Sequence, residues 1–178
     1  MMKKSIALLS LFLILILFIG TNSMYLELPN KIKTSIKKNI TSNKEDIPTY
    51  SFYIEIPKLS LKAWLNEHSN LDNNISINKH SDMPNVIGGN FILQAHSGTG
   101  YNAYFRDLYK LKNGDLVYIY YNDIMYYYKI DSYYEVVKTG KIKINRDTSK
   151  SSITLITCKG QKEQLVYIGY LEKKESLS

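Results

Sequence analysis

The chain has 178 residues, 44% of them hydrophobic and 12% aromatic, which is enough for one well-packed domain and too few for two comfortable ones. Its formal charge of +7 comes mainly from scattered lysines, with Arg106 and Arg146 as the only arginines. Because phosphate and base recognition favours arginine and clustered basic faces, this composition argues against a nucleic-acid partner and makes an anionic cell surface the simpler one.

The N-terminal segment is strongly apolar. Two lysines precede the run 5–20 (SIALLSLFLILILFIG), and with its extension to Met24 the segment approaches the ~20 residues with which a helix spans a bilayer. A cleaved signal peptide is the alternative, but its apolar core is usually shorter, roughly 7 to 15 residues, and the TNS tripeptide that follows is a poor cleavage site. We therefore predict an uncleaved membrane anchor over residues 1–24.

The composition changes after the anchor. Residues 25–48 are polar and lysine-rich without a strong apolar stripe, which predicts a linker. A globular domain is predicted over residues 49–172, and residues 173–178 are predicted to form a polar tail.

Alternating apolar and β-branched residues predict a mainly β domain. Asn122 and Asp123 separate two such runs and predict a hairpin turn. Seven or eight short strands are predicted in all, and this number is typical of a mostly antiparallel barrel or sandwich. The predicted strands cover residues 51–56, 59–65, 90–95, 116–121, 124–130, 133–137, 152–158 and 164–171.

Two stretches between the strands have a different pattern. Residues 66–89 are polar and irregular, and they contain His68 and His80, which we predict to be surface residues. Residues 102–111 space their apolar side chains as a short amphipathic helix would.

Cys158 is the only cysteine of the chain, and it ends the predicted strand 152–158. A lone cysteine cannot form an internal disulfide, which is the usual reason for cysteine in an exported protein. The alternative is a small, inert buried side chain. His96 likewise ends a predicted strand and precedes a turn-rich segment. Because an imidazole can stabilise a thiolate or protonate a leaving amine, this pair predicts nucleophilic catalysis.

These motifs resemble those of the sortase family, the cysteine transpeptidases of Gram-positive cell surfaces. The resemblance extends from about Tyr50 to Leu171 and includes the N-terminal anchor and linker as well. It implies a closed eight-stranded β-barrel with one or two short helices. The motifs that carry it are IPK at 56–58, ILQAHSG at 92–98, F-x-x-L-x-x-L-x-x-G-D at 105–115 and TLITC at 154–158.

The resemblance also implies a reaction. Cys158 would attack the Thr-Gly type bond of an LPxTG-like sorting signal, and the thioacyl group would pass to an amine of a peptidoglycan precursor or a pilin. His96 would protonate the leaving amine. Thr157 would help to shape the pocket of the substrate carbonyl, and Ala95 and Ser97, which flank the histidine, would contact substrate.

This chemistry requires an active site outside the cytoplasm. Lysines on both sides of the apolar run leave the orientation open when charges alone are counted. We expect a single-pass protein of the cell membrane with its catalytic domain on the extracytoplasmic side.

The sequence departs from the family at one position. Sortases usually have an arginine at the start of the last strand, where this chain has Gln164. An amide is a weaker donor than a guanidinium, and losing one oxyanion donor costs about 3 kcal/mol. Three alternatives are open: Gln164 takes over this role, Lys162 brings a charge from the same strand face, or the alignment is displaced and Arg106 or Arg146 supplies the charge. A non-catalytic sortase-like surface binding module is the remaining alternative.

The connection between the last two strands is predicted to be very short, because five residues separate Cys158 from Gln164. The substrate groove should therefore be open on that side, leaving specificity to residues 66–89 and 138–150. One cysteine and three scattered histidines lack the paired spacing of a metal site, so neither a metal nor another cofactor is predicted.

Overall fold

A computed structural model describes residues 52–66 and 74–177 of the chain. These residues form a closed barrel of eight strands, which confirms the predicted mainly β fold. Within the described residues, helical structure is limited to two 3-10 helices, Pro57–Leu59 and Leu108–Lys110. The strands are β1 (Phe52–Ile56), β2 (Leu61–Asn66), β3 (Ile75–Ile77), β4 (Asn90–Gln94), β5 (Leu116–Tyr121), β6 (Ile124–Val137), β7 (Ser152–Lys159) and β8 (Glu163–Ser176).

The order of the strands around the barrel is β1-β2-β3-β4-β7-β8-β6-β5, and β5 pairs with β1 to close it. Most neighbours are antiparallel, but β2 pairs with β3 and β4 pairs with β7 in the parallel sense. Because parallel strands end at the same edge of a sheet, β4 and β7 bring the segments that follow them to one edge of the barrel.

Two hydrophobic clusters lie on opposite faces of the sheet, as the alternation of side chains along a strand requires. In β7, Ile153 and Leu155 belong to the main core inside the barrel, whereas Ile156 points to the outer face. The connection between β6 and β7 packs against this outer face through Ile142 and Ile144. The buried members of the outer cluster are Ile92, Ile156, Val166 and Ile168.

The tyrosines of the chain contribute strongly to the core. Tyr126, Tyr128 and Tyr167 are among the largest fully buried side chains, and burial raises the pKa of each. Burial and a hydrogen bond to Asp123 raise the pKa of Tyr120 to about 12. These phenols therefore stay neutral at physiological pH and act through packing and hydrogen bonding.

The predicted amphipathic helix over residues 102–111 is wrong. The segment consists of turns and the 3-10 helix Leu108–Lys110. Its backbone is used in tertiary contacts, since the N–H of Phe105 donates to the carbonyl of His96 at 2.9 Å. The regularly spaced apolar side chains Phe105, Leu108 and Leu111 are buried in the main core, although the segment is not an α-helix.

The strands also differ from the sequence-based expectations in three larger respects. The stretch 66–89 contains β3, which links β2 to β4. The predicted strands 124–130 and 133–137 form the single strand β6, which pairs with β8 along its length. The register of this pairing shifts between Tyr127 and Tyr128 and between Ile130 and Ser132. Since β8 continues to Ser176, it includes most of the segment 173–178 that was predicted as a polar tail.

Some sequence-based predictions concern residues that the structure does not describe. The predicted anchor and linker, residues 1–48, lie outside the described residues, and so does His68. Across residues 52–66 and 74–177, no helix has the length and apolar character needed to span a membrane. The same residues contain no group of three histidine, cysteine, aspartate or glutamate side chains that could hold a metal ion.

Gly169 in β8 permits a close approach between strands. A Cβ at this position would lie 2.9 Å from the carbonyl oxygen of Lys129 and 3.1 Å from Cγ2 of Ile153. Because that carbonyl is part of the β6 backbone, we expect Gly169→Ala to lower the free energy of unfolding by about 1 to 3 kcal/mol. Gly98→Ala is the control, since its Cβ would meet nothing within 4 Å. Urea unfolding measures both, and equal stabilities would contradict this reading of Gly169.

Candidate active site

The parallel pairing of β4 with β7 brings the histidine and cysteine motifs together. Gln94 pairs with Ile156, and His96 and Cys158 each follow two residues later. The pairing continues for one more residue, because the N–H of Ala95 donates to the carbonyl of Ile156 at 3.2 Å. His96 and Cys158 are both half-buried. The two predicted catalytic residues therefore lie at the same edge of the barrel.

Two hydroxyl groups connect these motifs. The Oγ1 of Thr157 donates to the carbonyl of Ala95 at 2.8 Å, and the Oγ of Ser97 donates to the carbonyl of Cys158 at 2.6 Å. Thr157 and Ala95 are buried, so their hydrogen bond is shielded from water. Together the two bonds fix the segment that contains His96 to the strand that carries the thiol.

Gln164 lies directly opposite Cys158 in the antiparallel pair of β7 and β8. Residues directly opposite each other share a face of the sheet, so the amide and the thiol project to the same side. Lys162 is exposed, and its backbone carbonyl accepts a hydrogen bond from the N–H of Lys138 at 2.8 Å. Only residues 160–162 join β7 to β8, as the short spacing predicted, and Gly160 makes the turn with φ +62°.

Both arginines of the chain bind backbone carbonyls. Arg106 donates three hydrogen bonds, of 2.8 to 3.0 Å, to the carbonyls of residues 98–100 in the loop after His96. Arg146 donates to the carbonyl of Gly88 at 3.0 Å and to two carbonyls of its own loop. Arg106 thus holds the loop that follows His96, whereas Arg146 holds the segments that precede β4 and β7, at the other end of these strands.

The thiol nevertheless has a cationic neighbour that the sequence-based analysis missed. The Nζ of Lys138 lies 3.6 Å from the Sγ of Cys158, within hydrogen-bonding range of sulfur. Lys138 directly follows the last residue of β6. It lies twenty residues before Cys158 in the chain, and nothing in the sequence pattern indicated that the two side chains would be in contact. The pairing of β6 with β8, and of β8 with β7, is what brings the two side chains together.

Lys159 is adjacent to Cys158 in sequence but pairs with carboxylates. Its Nζ lies 2.6 Å from Oε2 of Glu135 and 4.0 Å from Oε2 of Glu163. The hydrogen bond to Glu135 raises the pKa of Lys159. The charge of this lysine is therefore balanced by its acidic partners.

Two cavities flank this edge of the barrel. The tyrosine cavity, about 470 Å³, is lined by residues that include Cys158, Tyr109, Tyr133, Tyr167, Arg106 and Glu135. The isoleucine groove, about 590 Å³, is lined by residues that include Ile92, Ile142, Ile144, Ile156, Gln164 and Lys138. The contact between Lys138 and Cys158 joins the linings of the two cavities. His80, predicted to be a surface residue, is exposed at the isoleucine groove.

The sequence and the fold of this chain are similar to those of known proteins. The sortase domain model matches residues 54–172. Sortase A of Bacillus anthracis is 33% identical over 111 residues, which are 62% of this chain and 52% of that protein, so the chain spans about half the length of this relative. The solved structure of Listeria monocytogenes sortase A is 25% identical with a TM-score of 0.61, covering 71% of this chain and 90% of that one. A Clostridium perfringens sortase D5 transpeptidase, 24% identical over 77% of this chain and 89% of its own, has the same fold with a TM-score of 0.62.

Proposed function

Because this chain belongs to the sortase family of cell-wall cysteine transpeptidases, we propose that it joins a sorting-signal peptide to an amine through a thioester on Cys158. The peptide is LPxTG-like, and the amine belongs to a peptidoglycan precursor or a pilin. The observation that carries the proposal is the convergence of Cys158 and His96 at the shared edge of β4 and β7, beside two cavities.

The proposed reaction has two halves. In the first, the Sγ of Cys158 attacks the carbonyl carbon of the Thr-Gly type bond, the C–N bond breaks, and His96 gives a proton to the leaving amine. In the second, a neutral acceptor amine attacks the thioester and gives a proton to His96. A new amide bond forms and Cys158 leaves as the thiolate, so the enzyme is regenerated.

We assign the acyl donor to the isoleucine groove. Its apolar side chains suit the leucine and proline of an LPxTG-like signal, and apolar pockets with a few polar groups are typical of ligand sites. Gln164 lines this groove on the same face of the sheet as the thiol. Its amide is therefore suited to donate a hydrogen bond to the substrate carbonyl.

The tyrosine cavity is assigned to the second substrate. Its lining includes Cys158, so an acceptor amine bound there lies next to the thioester while the donor peptide fills the groove. Thr157, Ala95 and Ser97 act in this scheme by holding the two catalytic motifs in register.

The proposed location follows from the substrates. Wall precursors and exported sorting signals meet at the outer face of the cell membrane. The apolar run 5–20 supports a single-pass anchor there, with the barrel on the extracytoplasmic side.

Formation of a joined product tests the proposed function. The full chain in detergent is incubated with a pool of LPxTG-like peptides and triglycine as the amine, and products are identified by mass spectrometry. We expect the N-terminal part of one or more peptides to appear joined to triglycine. Peptide binding, measured by fluorescence anisotropy, without any cleavage or joining would instead favour the non-catalytic binding module.

A further inference from the structure

We propose that Lys138 is a catalytic residue, the cation that stabilises negative charge at the Cys158 thiol and on the substrate oxyanion. This inference rests on the proposed transpeptidase function and names a residue that acts in it. The observation behind it is the 3.6 Å contact between the Nζ of Lys138 and the Sγ of Cys158. A cation beside a thiol favours the thiolate, which is the form that attacks a carbonyl.

Other cationic side chains have different partners. Arg106 and Arg146 each donate three hydrogen bonds to backbone carbonyls. Lys159 pairs with Glu135 and with a second carboxylate. Among the residues that the structure describes, Lys138 is thus the cation in hydrogen-bonding contact with the thiol sulfur.

The strand order explains why a long side chain is needed at this position. The strand β8 lies between β6 and β7, and neighbouring strands are about 4.8 Å apart. The N–H of Lys138 extends the pairing of β6 with β8 by one residue, which fixes its backbone opposite Lys162. From there the lysine side chain reaches across β8 to Cys158.

The position of Lys138 also suits the second charge that develops in the reaction. Lys138 lines the isoleucine groove, to which we assign the acyl donor, while its Nζ contacts the nucleophile. An ammonium group has three N–H donors, so it can keep its hydrogen bond to the sulfur and also donate to an oxyanion that forms beside it. Gln164 on the same face adds a neutral donor.

Two variants of Lys138 test the role of the charge. Lys138→Met removes the charge and keeps the length of the side chain, whereas Lys138→Arg keeps the charge. The matched control is Lys174→Met, the same change at an exposed lysine of β8 in the part that pairs with Tyr126. Because Lys138 is exposed, we expect thermal unfolding midpoints within about 2 °C of the parent protein for all three variants.

The first measurement needs no peptide substrate. We expect Lys138→Met to slow the alkylation of Cys158 by iodoacetamide about fivefold to tenfold at pH 7 and low salt, with parent-like rates for Lys138→Arg and Lys174→Met. The difference should shrink in high salt, because ions screen an exposed charge. Equal alkylation rates for the parent and Lys138→Met would overturn the inference.

The second measurement is the rate of peptide joining, for which we expect a drop of about tenfold or more in Lys138→Met and near-parent rates in Lys138→Arg. A parent that joins no peptide, combined with slower alkylation of Lys138→Met, would count against the proposed function and still support the charge at the thiol. A parent that joins peptides, with Lys138→Met equally active, would overturn the role of Lys138 alone.

Discussion

Replacement of Cys158 by alanine is expected to lower the rate of peptide joining by about 10⁴-fold or more. The chain has no second thiol that could take over the attack, and the hydroxyl groups of Ser97 and Thr157 are used in hydrogen bonds to backbone carbonyls. The initial rate of the joined product, followed by mass spectrometry with an LPxTG-like peptide and triglycine, measures the effect.

The Cys158→Ala protein is expected to remain folded. Cys158 is half-buried at the end of β7, so the removal of one sulfur atom should change the free energy of unfolding by less than about 2 kcal/mol. Urea unfolding of the parent and Cys158→Ala checks this. Peptide joining at the parent rate by a folded Cys158→Ala protein would show that another group is the nucleophile.

Replacement of His96 by glutamine is expected to lower the rate of peptide joining about 10²-fold to 10⁴-fold. Glutamine is close to histidine in size and retains a hydrogen-bond donor, but it cannot give a proton to a leaving amine. The backbone carbonyl of His96 keeps its hydrogen bond from Phe105, so the loop should stay in place.

The leaving group provides the control for His96. An ester analogue of the scissile bond releases an alcohol, which needs less help from an acid than an amine does. We expect His96→Gln to slow cleavage of the amide peptide far more than cleavage of the ester analogue. An equal loss for both substrates would mean that His96 does not act as the proton donor.

Much of the fold could be predicted from the sequence because the relevant signals are local. Alternation along β7 separates Ile153 and Leu155 in the core from Ile156 on the outer face, as a period of two requires. The same argument from spacing predicted a helix over residues 102–111, where the backbone forms turns instead. The apolar side chains of this segment are nevertheless buried in the core. Local periodicity shows which side chains are buried but not always in which backbone conformation.

The site was only partly predictable. The ends of two strands indicated His96 and Cys158, but their common edge depends on the parallel pairing of β4 with β7, two strands that are far apart in sequence. Lys138 could not be found in this way. It is one of many lysines, and its contact with the thiol exists only because β8 lies between β6 and β7.

The position of the family's usual arginine shows how structure narrows the alternatives. The sequence left Gln164, Lys162, Arg106 and Arg146 as candidates for this role. Both arginines bind loop carbonyls, and Lys162 contacts Lys138 through its backbone carbonyl. Gln164 keeps its place opposite Cys158, as a neutral donor. The charge itself is better assigned to Lys138, which none of the sequence-based alternatives included.

The most direct test of the central claim is the intact mass of the protein after incubation with LPxTG-like peptides in the absence of any amine. We predict a mass increase equal to the acyl part of a peptide, located on Cys158 by peptide mapping, released by hydroxylamine and absent from Cys158→Ala. If no peptide of a broad pool leaves an adduct, while iodoacetamide still labels Cys158 readily, the claim that this thiol forms a thioester with a sorting signal is contradicted.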